Sequence, residues 1–225
     1  MNTATKYSLV LWDFDGTLAD SKEDVWASLV FAAAQFGGTF PRSYLANPKN
    51  LSDPMDVILR QVEPYPGEDN FAEFESLVRV HYRSQNNFAN TELFPGIKPL
   101  LGELLLLEIP GVVVTVKPHE ALRRILTMKG WDTYFDGSLS PDSEGSKEKT
   151  KTEMIASVLR SRAARPSECV YVGDSRGDAV AAKANGVDFV AVTYGDGDEM
   201  ELRAEHPLHC FDNAWDLRSV LTEWK

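Results

Sequence analysis

Ser8-Leu9-Val10-Leu11-Trp12-Asp13-Phe14-Asp15-Gly16-Thr17 sets a short apolar run directly before two carboxylates and a glycine. A run of this length, apolar at nearly every position, suits a parallel strand buried on both faces. In open α/β sheets, ligands bind outside the carboxyl ends of the strands, which is where Asp13 and Asp15 would fall. Side chains alternate along an extended chain, so both carboxylates are expected on one side. Two carboxylates that close are costly unless they share a cation or a proton. Mg²⁺ fits, being a hard ion that takes one or two carboxylates together with substrate phosphate oxygens. The competing reading is a plain Asp-Gly turn. By chance, Asp-x-Asp-Gly-Thr arises in roughly 0.3% of chains this long, taking about 6–7% per residue type. The turn reading loses.

Three further short apolar runs repeat the strand signal: Val112–Thr115, Cys169–Gly173 and Phe189–Thr193. Helical patterns lie between them. Pro118–Lys129 spaces Ala121, Leu122, Ile125, Leu126 and Met128 helically and stops at Gly130. Lys151–Arg160 opens on the capping-box pair Thr150 and Glu153, and Asp178–Asn185 stops at Gly186. Alternation of strand and helix predicts a Rossmann-like, doubly wound parallel α/β sheet.

Residues 19–90 break that rhythm. Ser21 with Asp24 is expected to cap a helix carrying Val25, Trp26, Leu29, Ala32, Ala33 and Phe36, closed by Gly37-Gly38. Asp53-Pro54 opens a second helix with Met55, Ile58, Leu59 and Val62. A third runs from Phe71 to Tyr82. Three consecutive helices predict an all-helical insertion at 19–90 within a core of 1–18 and 91–225. The polar stretch Ser138–Lys151 reads as a loop.

The composition is consistent with this. At 225 residues, 43% hydrophobic and 25% charged, the chain is globular and long enough to bury a core without covalent staples. Its two cysteines, Cys169 and Cys210, need not pair, and cytoplasmic usage is expected. A net charge of −11 repels phosphate backbones and argues against nucleic-acid binding. The most apolar stretch, Leu100 to Val116, holds Glu103, Glu108 and Pro110-Gly111; no membrane span is expected.

A second acidic motif, Gly173-Asp174-Ser175-Arg176-Gly177-Asp178, follows another strand run. Alone it is weak; beside the first motif on one sheet edge it gains weight. The embedded Arg-Gly-Asp tripeptide is read as coincidence. Thr115 closes Val112-Val113-Val114 and opens toward a helix, where a hydroxyl and backbone N–H groups can hold phosphate oxygens. Of the cluster Lys147, Lys149 and Lys151, Lys151 stands in a first helical turn, which disfavours a cation unless an anion compensates.

These four pieces, in this order, resemble the haloacid dehalogenase superfamily, and specifically its phosphoglycolate-phosphatase-like branch with a helical cap inserted after the first motif. Asp13 through Ser21 matches the first motif, and Val114-Thr115-Val116-Lys117-Pro118 is similar to the second. Lys151 with Glu153 and Ile155 is similar to the third, and Val172-Gly173-Asp174 with Asp178 to the fourth. The resemblance implies Asp13 as the nucleophile that becomes an aspartyl phosphate and Asp15 as general acid and base. It implies Mg²⁺ held by Asp13, the Asp15 carbonyl and Asp174, supported by Asp178. Gly16, Thr115, Val116 and Lys151 would bind the phosphoryl group, and Lys117 would contact the substrate. Val116 departs from the Asn or Ser common in the family and offers only its backbone N–H.

The expected activity is therefore hydrolysis of a small phosphorylated metabolite, with phosphoglycolate favoured and nucleoside monophosphates or small sugar phosphates open. A sugar-phosphate phosphomutase is the enzymatic alternative, and a phospho-accepting signalling domain the alternative of another class. Arg42, Arg60, Arg79, His81 and Arg83 are the insertion's candidate substrate cations. His206-x-x-His209-Cys210 lacks the second ligand pair of a zinc site. Asp196-Gly197-Asp198-Glu199 reads as a solvated turn, and Gly145-Ser146-Lys147 lacks the glycine spacing of a P-loop. The oligomeric state is not legible.

Overall fold

The computed structural model describes residues 5–143 and 148–222; Lys147 and the Gly145-Ser146 pair lie outside them. The described chain forms β1 (Leu9–Trp12) and β2 (Ala19–Asp20), then α1 (Lys22–Gln35), α2 (Arg42–Leu45), α3 (Met55–Leu59) and α4 (Phe71–Val80). It continues through β3 (Glu92–Leu93), α5 (Ile97–Leu106), β4 (Gly111–Val114), α6 (His119–Lys129) and β5 (Gly137–Leu139). The last part comprises α7 (Lys151–Ser161), β6 (Cys169–Gly173), α8 (Arg176–Ala184), β7 (Asp188–Val192), α9 (Glu199–Ala204), β8 (His209–Phe211) and α10 (Arg218–Leu221).

Two compact units result, residues 1–20 with 92–225, and residues 21–91. The first contains a six-stranded sheet in the order β5-β4-β1-β6-β7-β8, with every neighbouring pair parallel. β1 is buried at all four positions, which is why its sequence is apolar on both faces rather than alternating. Leu9 and Leu11 point into a core with Val112, Val114, Tyr171 and Phe189, closed by Met154, Ile155 and Val158 of α7 and Ala179 and Ala182 of α8. The strand order reverses at β1, since β4 and β5 lie to one side and β6, β7 and β8 to the other. That reversal opens a crevice at the carboxyl ends of β1, β4 and β6.

The structure adds elements to those expected. Gly137–Leu139 is an edge strand pairing with β4, so the stretch taken as loop from Ser138 begins as sheet. β8 is the opposite edge, and it takes up His209 and Cys210. Both edge strands are half-exposed and carry no apolar run. The apolar stretch before Gly111 is α5, which buries Ile97, Leu100, Leu101 and Leu104. The ribbon β2–β3 pairs Ala19 with Leu93 and Asp20 with Glu92, so the first unit keeps residues 19 and 20 that the sequence reading assigned to the insertion.

The second unit is built from α1 to α4 around Leu29, Ala33, Phe40, Ile58, Leu59 and Phe74. Ser21 makes no side-chain cap on α1. Asp24 is the other residue of the expected cap. It is buried and accepts hydrogen bonds from Asn90 N (3.1 Å), Asn90 Nδ2 (3.2 Å) and Thr91 Oγ1 (2.6 Å). These bonds tie the two ends of the unit together. Past α4 the helix widens over His81–Gln85, where Asn86 N bonds the His81 carbonyl.

Candidate active site

β1 delivers Asp13 to the crevice. Its N–H still bonds Val172 O at 2.9 Å, one step beyond the strand. The chain then turns back on itself, with Leu18 N and Ala19 N donating to Phe14 O and Gly16 N to Ala19 O. Gly16 occupies φ +74°, a left-handed conformation that glycine adopts without penalty. The two carboxylates that alternation predicts on one side meet different cations. Asp13 faces Lys151, with Oδ1 3.1 Å from the ammonium. Asp15 faces Lys117, with Oδ1 3.0 Å from that ammonium.

β6 delivers Asp174. Its Oδ1 accepts from Thr17 Oγ1 at 3.3 Å, and Oδ2 accepts from the backbone N–H groups of Asp196 (2.8 Å) and Gly197 (3.1 Å). Asp196-Gly197 is therefore more than a solvated turn: it fixes the orientation of this carboxylate. The approach is so close that a β-carbon on Gly16 or Gly195 would collide with Asp174 Oδ2, and one on Gly197 with the Asp174 carbonyl oxygen.

Asp178 is wholly buried. It forms a reciprocal capping box with Ser175, whose hydroxyl donates to Asp178 Oδ2 at 2.6 Å and whose N–H does so at 3.0 Å. Burial removes the Arg-Gly-Asp tripeptide from any role as a displayed ligand. Gly173 must lack a side chain here, because a β-carbon would lie 2.6 Å from Asp178 Cβ and Cγ.

Lys151 opens α7 behind the Thr150–Glu153 capping box. Its ammonium bridges Asp13 and Asp178 and lies 5.8 Å from the centre of the Tyr171 ring. The compensating anions demanded by a cation at a helix start are these carboxylates. Tyr171, whose place in an apolar strand run marks it only as core, donates its hydroxyl to Val114 O at 2.6 Å beneath the Lys151 ammonium.

At the end of β4, Thr115 is fully buried. Its N–H bonds Leu139 O at 3.1 Å, and its hydroxyl oxygen accepts from Lys117 N at 3.3 Å. Val116 is 65% exposed, whereas the Lys117 side chain is 2% exposed. In the helical unit, Arg60 is paired with Asp56 and Glu68 at 3.5 Å each, and His81 Nδ1 meets Ser28 Oγ at 2.9 Å.

Asp13, Asp174 and Asp178 each bring one oxygen within 4.8 Å of the others. Three carboxylates against one ammonium leave two negative charges in excess. Burial, then Asp178, Asp174 and Asp15, push Asp13 up to about 8 against the pull of Lys151. Burial and Asp178 push Asp174 up to about 6, offset by the Asp196 and Gly197 N–H groups. For Lys151, burial favours the neutral amine, but Asp13 and Asp178 outweigh it and hold the ammonium charged. Asp13 Oδ1 is buried and its ion-pair partner is the Lys151 ammonium. An all-oxygen donor set of three carboxylates against one ammonium fits a hard divalent cation.

The family model described as haloacid dehalogenase-like hydrolase matches residues 10–192, and the chain belongs to that family. It is 31% identical over 223 residues to a 5'-nucleotidase of Pseudomonas aeruginosa, covering 98% of each chain. It is 29% identical to phosphoglycolate phosphatase 1 of the same organism, covering 93% of this chain and 78% of that one. The solved structure of a predicted phosphoglycolate phosphatase from Haemophilus somnus superimposes with a TM-score of 0.80 at 25% identity, covering 96% of this chain and 98% of that one. The chain is thus a phosphatase, with the parallel α/β core of its family. No helix among the described residues is long and apolar enough to cross a membrane.

Proposed function

We propose that this phosphatase hydrolyses small phosphomonoesters in the cytoplasm, with Mg²⁺ as cofactor and Asp13 as nucleophile. The carrying observation is the buried Asp13–Asp174–Asp178 cluster around Lys151 at the carboxyl ends of β1 and β6. Asp13, Asp174 and the Asp15 carbonyl would hold the ion, with Asp178 in support. Bound there, Mg²⁺ neutralises charge on the transferring phosphoryl group.

In the first step a carboxylate oxygen of Asp13 bonds to phosphorus as the ester P–O bond breaks, and the departing oxygen takes a proton from Asp15. In the second, Asp15 removes a proton from water. The water oxygen bonds to phosphorus, and the Asp13 O–P bond breaks to release phosphate. Lys151 keeps its charge beside Asp13 and is available to the phosphoryl oxygens. Thr115, with the Val116 N–H and Gly16, completes the phosphate cradle. Phosphoryl transfer relies on positioning and charge neutralisation, which matches a site of fixed carboxylates and little else.

Phosphoglycolate and 5'-nucleotides are the leading substrate classes, suggested by the proteins this chain resembles. Residues 21–91 would act as the cap that excludes water and reads the leaving group. The test is phosphate release from 4-nitrophenyl phosphate, phosphoglycolate and a nucleoside monophosphate, each with Mg²⁺ and with EDTA. Release that requires Mg²⁺ and vanishes in Asp13→Asn supports the reading. A protein that turns over none of them, or an Asp13→Asn variant that keeps wild-type rates, overturns it.

A further inference from the structure

We propose that Lys117 is a positioning residue for Asp15 and not a substrate contact. The inference rests on the role given to Asp15 above. The Lys117 ammonium is 3.0 Å from Asp15 Oδ1, and its side chain is 2% exposed. It also lies 5.4 Å from the centre of the Phe14 ring, so carboxylate and aromatic face together compensate a charge withdrawn from water.

The base of Lys117 is held as firmly as its tip. Its N–H bonds Thr115 Oγ1, and Thr115 is itself hydrogen-bonded to Leu139. Two residues on, His119 N donates to Asp142 Oδ1 at 2.8 Å, which anchors the start of α6. A rigidly mounted ammonium fixes the rotation of the Asp15 carboxylate. Asp15 is not among the carboxylates that gather at Asp13, Asp174 and Asp178.

The consequence is a division of labour among four acids. Three share the cation and the nucleophilic role. The fourth is held back for proton transfer to the leaving oxygen. Removing Lys117 lets Asp15 rotate away from that oxygen, so the loss must grow as the leaving group becomes more basic. A lysine that merely bound substrate would produce a loss unrelated to leaving-group basicity.

The experiment compares kcat/KM for 4-nitrophenyl phosphate, phenyl phosphate and glycerol phosphate in wild type, Lys117→Met, Lys117→Gln, Lys117→Arg and Asp15→Asn. Inhibition by inorganic phosphate is measured for each. We expect Lys117→Met and Lys117→Gln to lose about 100-fold on glycerol phosphate, at the low end of what general acid catalysis contributes. The loss on 4-nitrophenyl phosphate should be under about 5-fold by the same reasoning, since that leaving group needs little protonation. Inhibition by phosphate should stay unchanged, and Lys117→Arg should recover part of the loss. Equal losses on all three esters, or a matching loss of phosphate inhibition, would overturn the proposal. So would failure of all three Lys117 variants to fold, judged by thermal melting, because the lysine would then be structural. If Asp15→Asn itself shows no dependence on the leaving group, the assignment of Asp15 fails instead.

Discussion

Gly16 and Asp174 approach so closely that no side chain fits at position 16: its β-carbon would fall on a carboxylate oxygen of Asp174. The same glycine sits at φ +74°. A single position thus carries both the left-handed turn that follows Asp15 and the clearance for the carboxylate opposite. Gly16→Ala should displace Asp174 or open the turn, and misplacement by about 1 Å can cost about 100-fold in rate. We expect at least that loss in kcat with the far-ultraviolet circular dichroism unchanged. A variant within a few-fold of wild type would show that the site tolerates the shift.

Lys151 offers a second prediction. Its side chain is 11% exposed and it is the cation set between Asp13 and Asp178. Breaking a buried pair by removing one partner costs about 3–5 kcal/mol, because the remaining charge is uncompensated. Lys151→Met should therefore lose turnover and also melt earlier. Mg²⁺ should return part of the stability without returning activity. Calorimetry with and without the ion reads both effects, and an unchanged melting temperature would count against the charge argument.

The acidic cluster should respond to its ion. A ligand at 100 times its Kd stabilises the folded state by about 2.7 kcal/mol. In a chain of this size each kcal/mol raises Tm by about 2–4 °C. Saturating Mg²⁺ should accordingly raise Tm by several degrees, and Asp174→Asn should abolish most of that rise. If the variant keeps the full shift, the ion binds elsewhere.

In the helical unit, His81 stacks on Phe31 with ring centres 4.2 Å apart and meets Ser28 Oγ at 2.9 Å. Burial lowers its pKa from the ordinary 6.5. The fold therefore favours the neutral ring. That contribution is fully present above pH about 6.5 and is lost as pH falls through the lowered value. Proton NMR of the ring should show it titrating below an unstructured histidine. In His81→Gln, the fall in Tm between neutral and mildly acidic pH should be shallower than in wild type. A ring that titrates at or above the ordinary value would refute this.

Four central strands were legible in the amino-acid order, because burial on both faces leaves an unbroken apolar run such as Leu9–Trp12 or Cys169–Gly173. The capping box at Thr150 and Glu153 was equally local, needing only a three-residue spacing. The edge strands were not: Gly137–Leu139 and His209–Phe211 are held by one neighbour each and exposed on the outside, so nothing compels them to be apolar. The chemistry divides in the same way. Which acids and lysines occur, and in what order, is a property of the chain. Their partners are set by distance in space. Asp15 meets Lys117, Asp178 meets Lys151 across 27 residues, and the Asp174 carboxylate is oriented by the backbone N–H groups of Asp196 and Gly197. Alternation alone would have sent Asp13 and Asp15 to one spot. In the structure each meets its own cation, Asp13 with Lys151 and Asp15 with Lys117, because the tertiary fold brings these lysines in from the start of α7 and from just past β4.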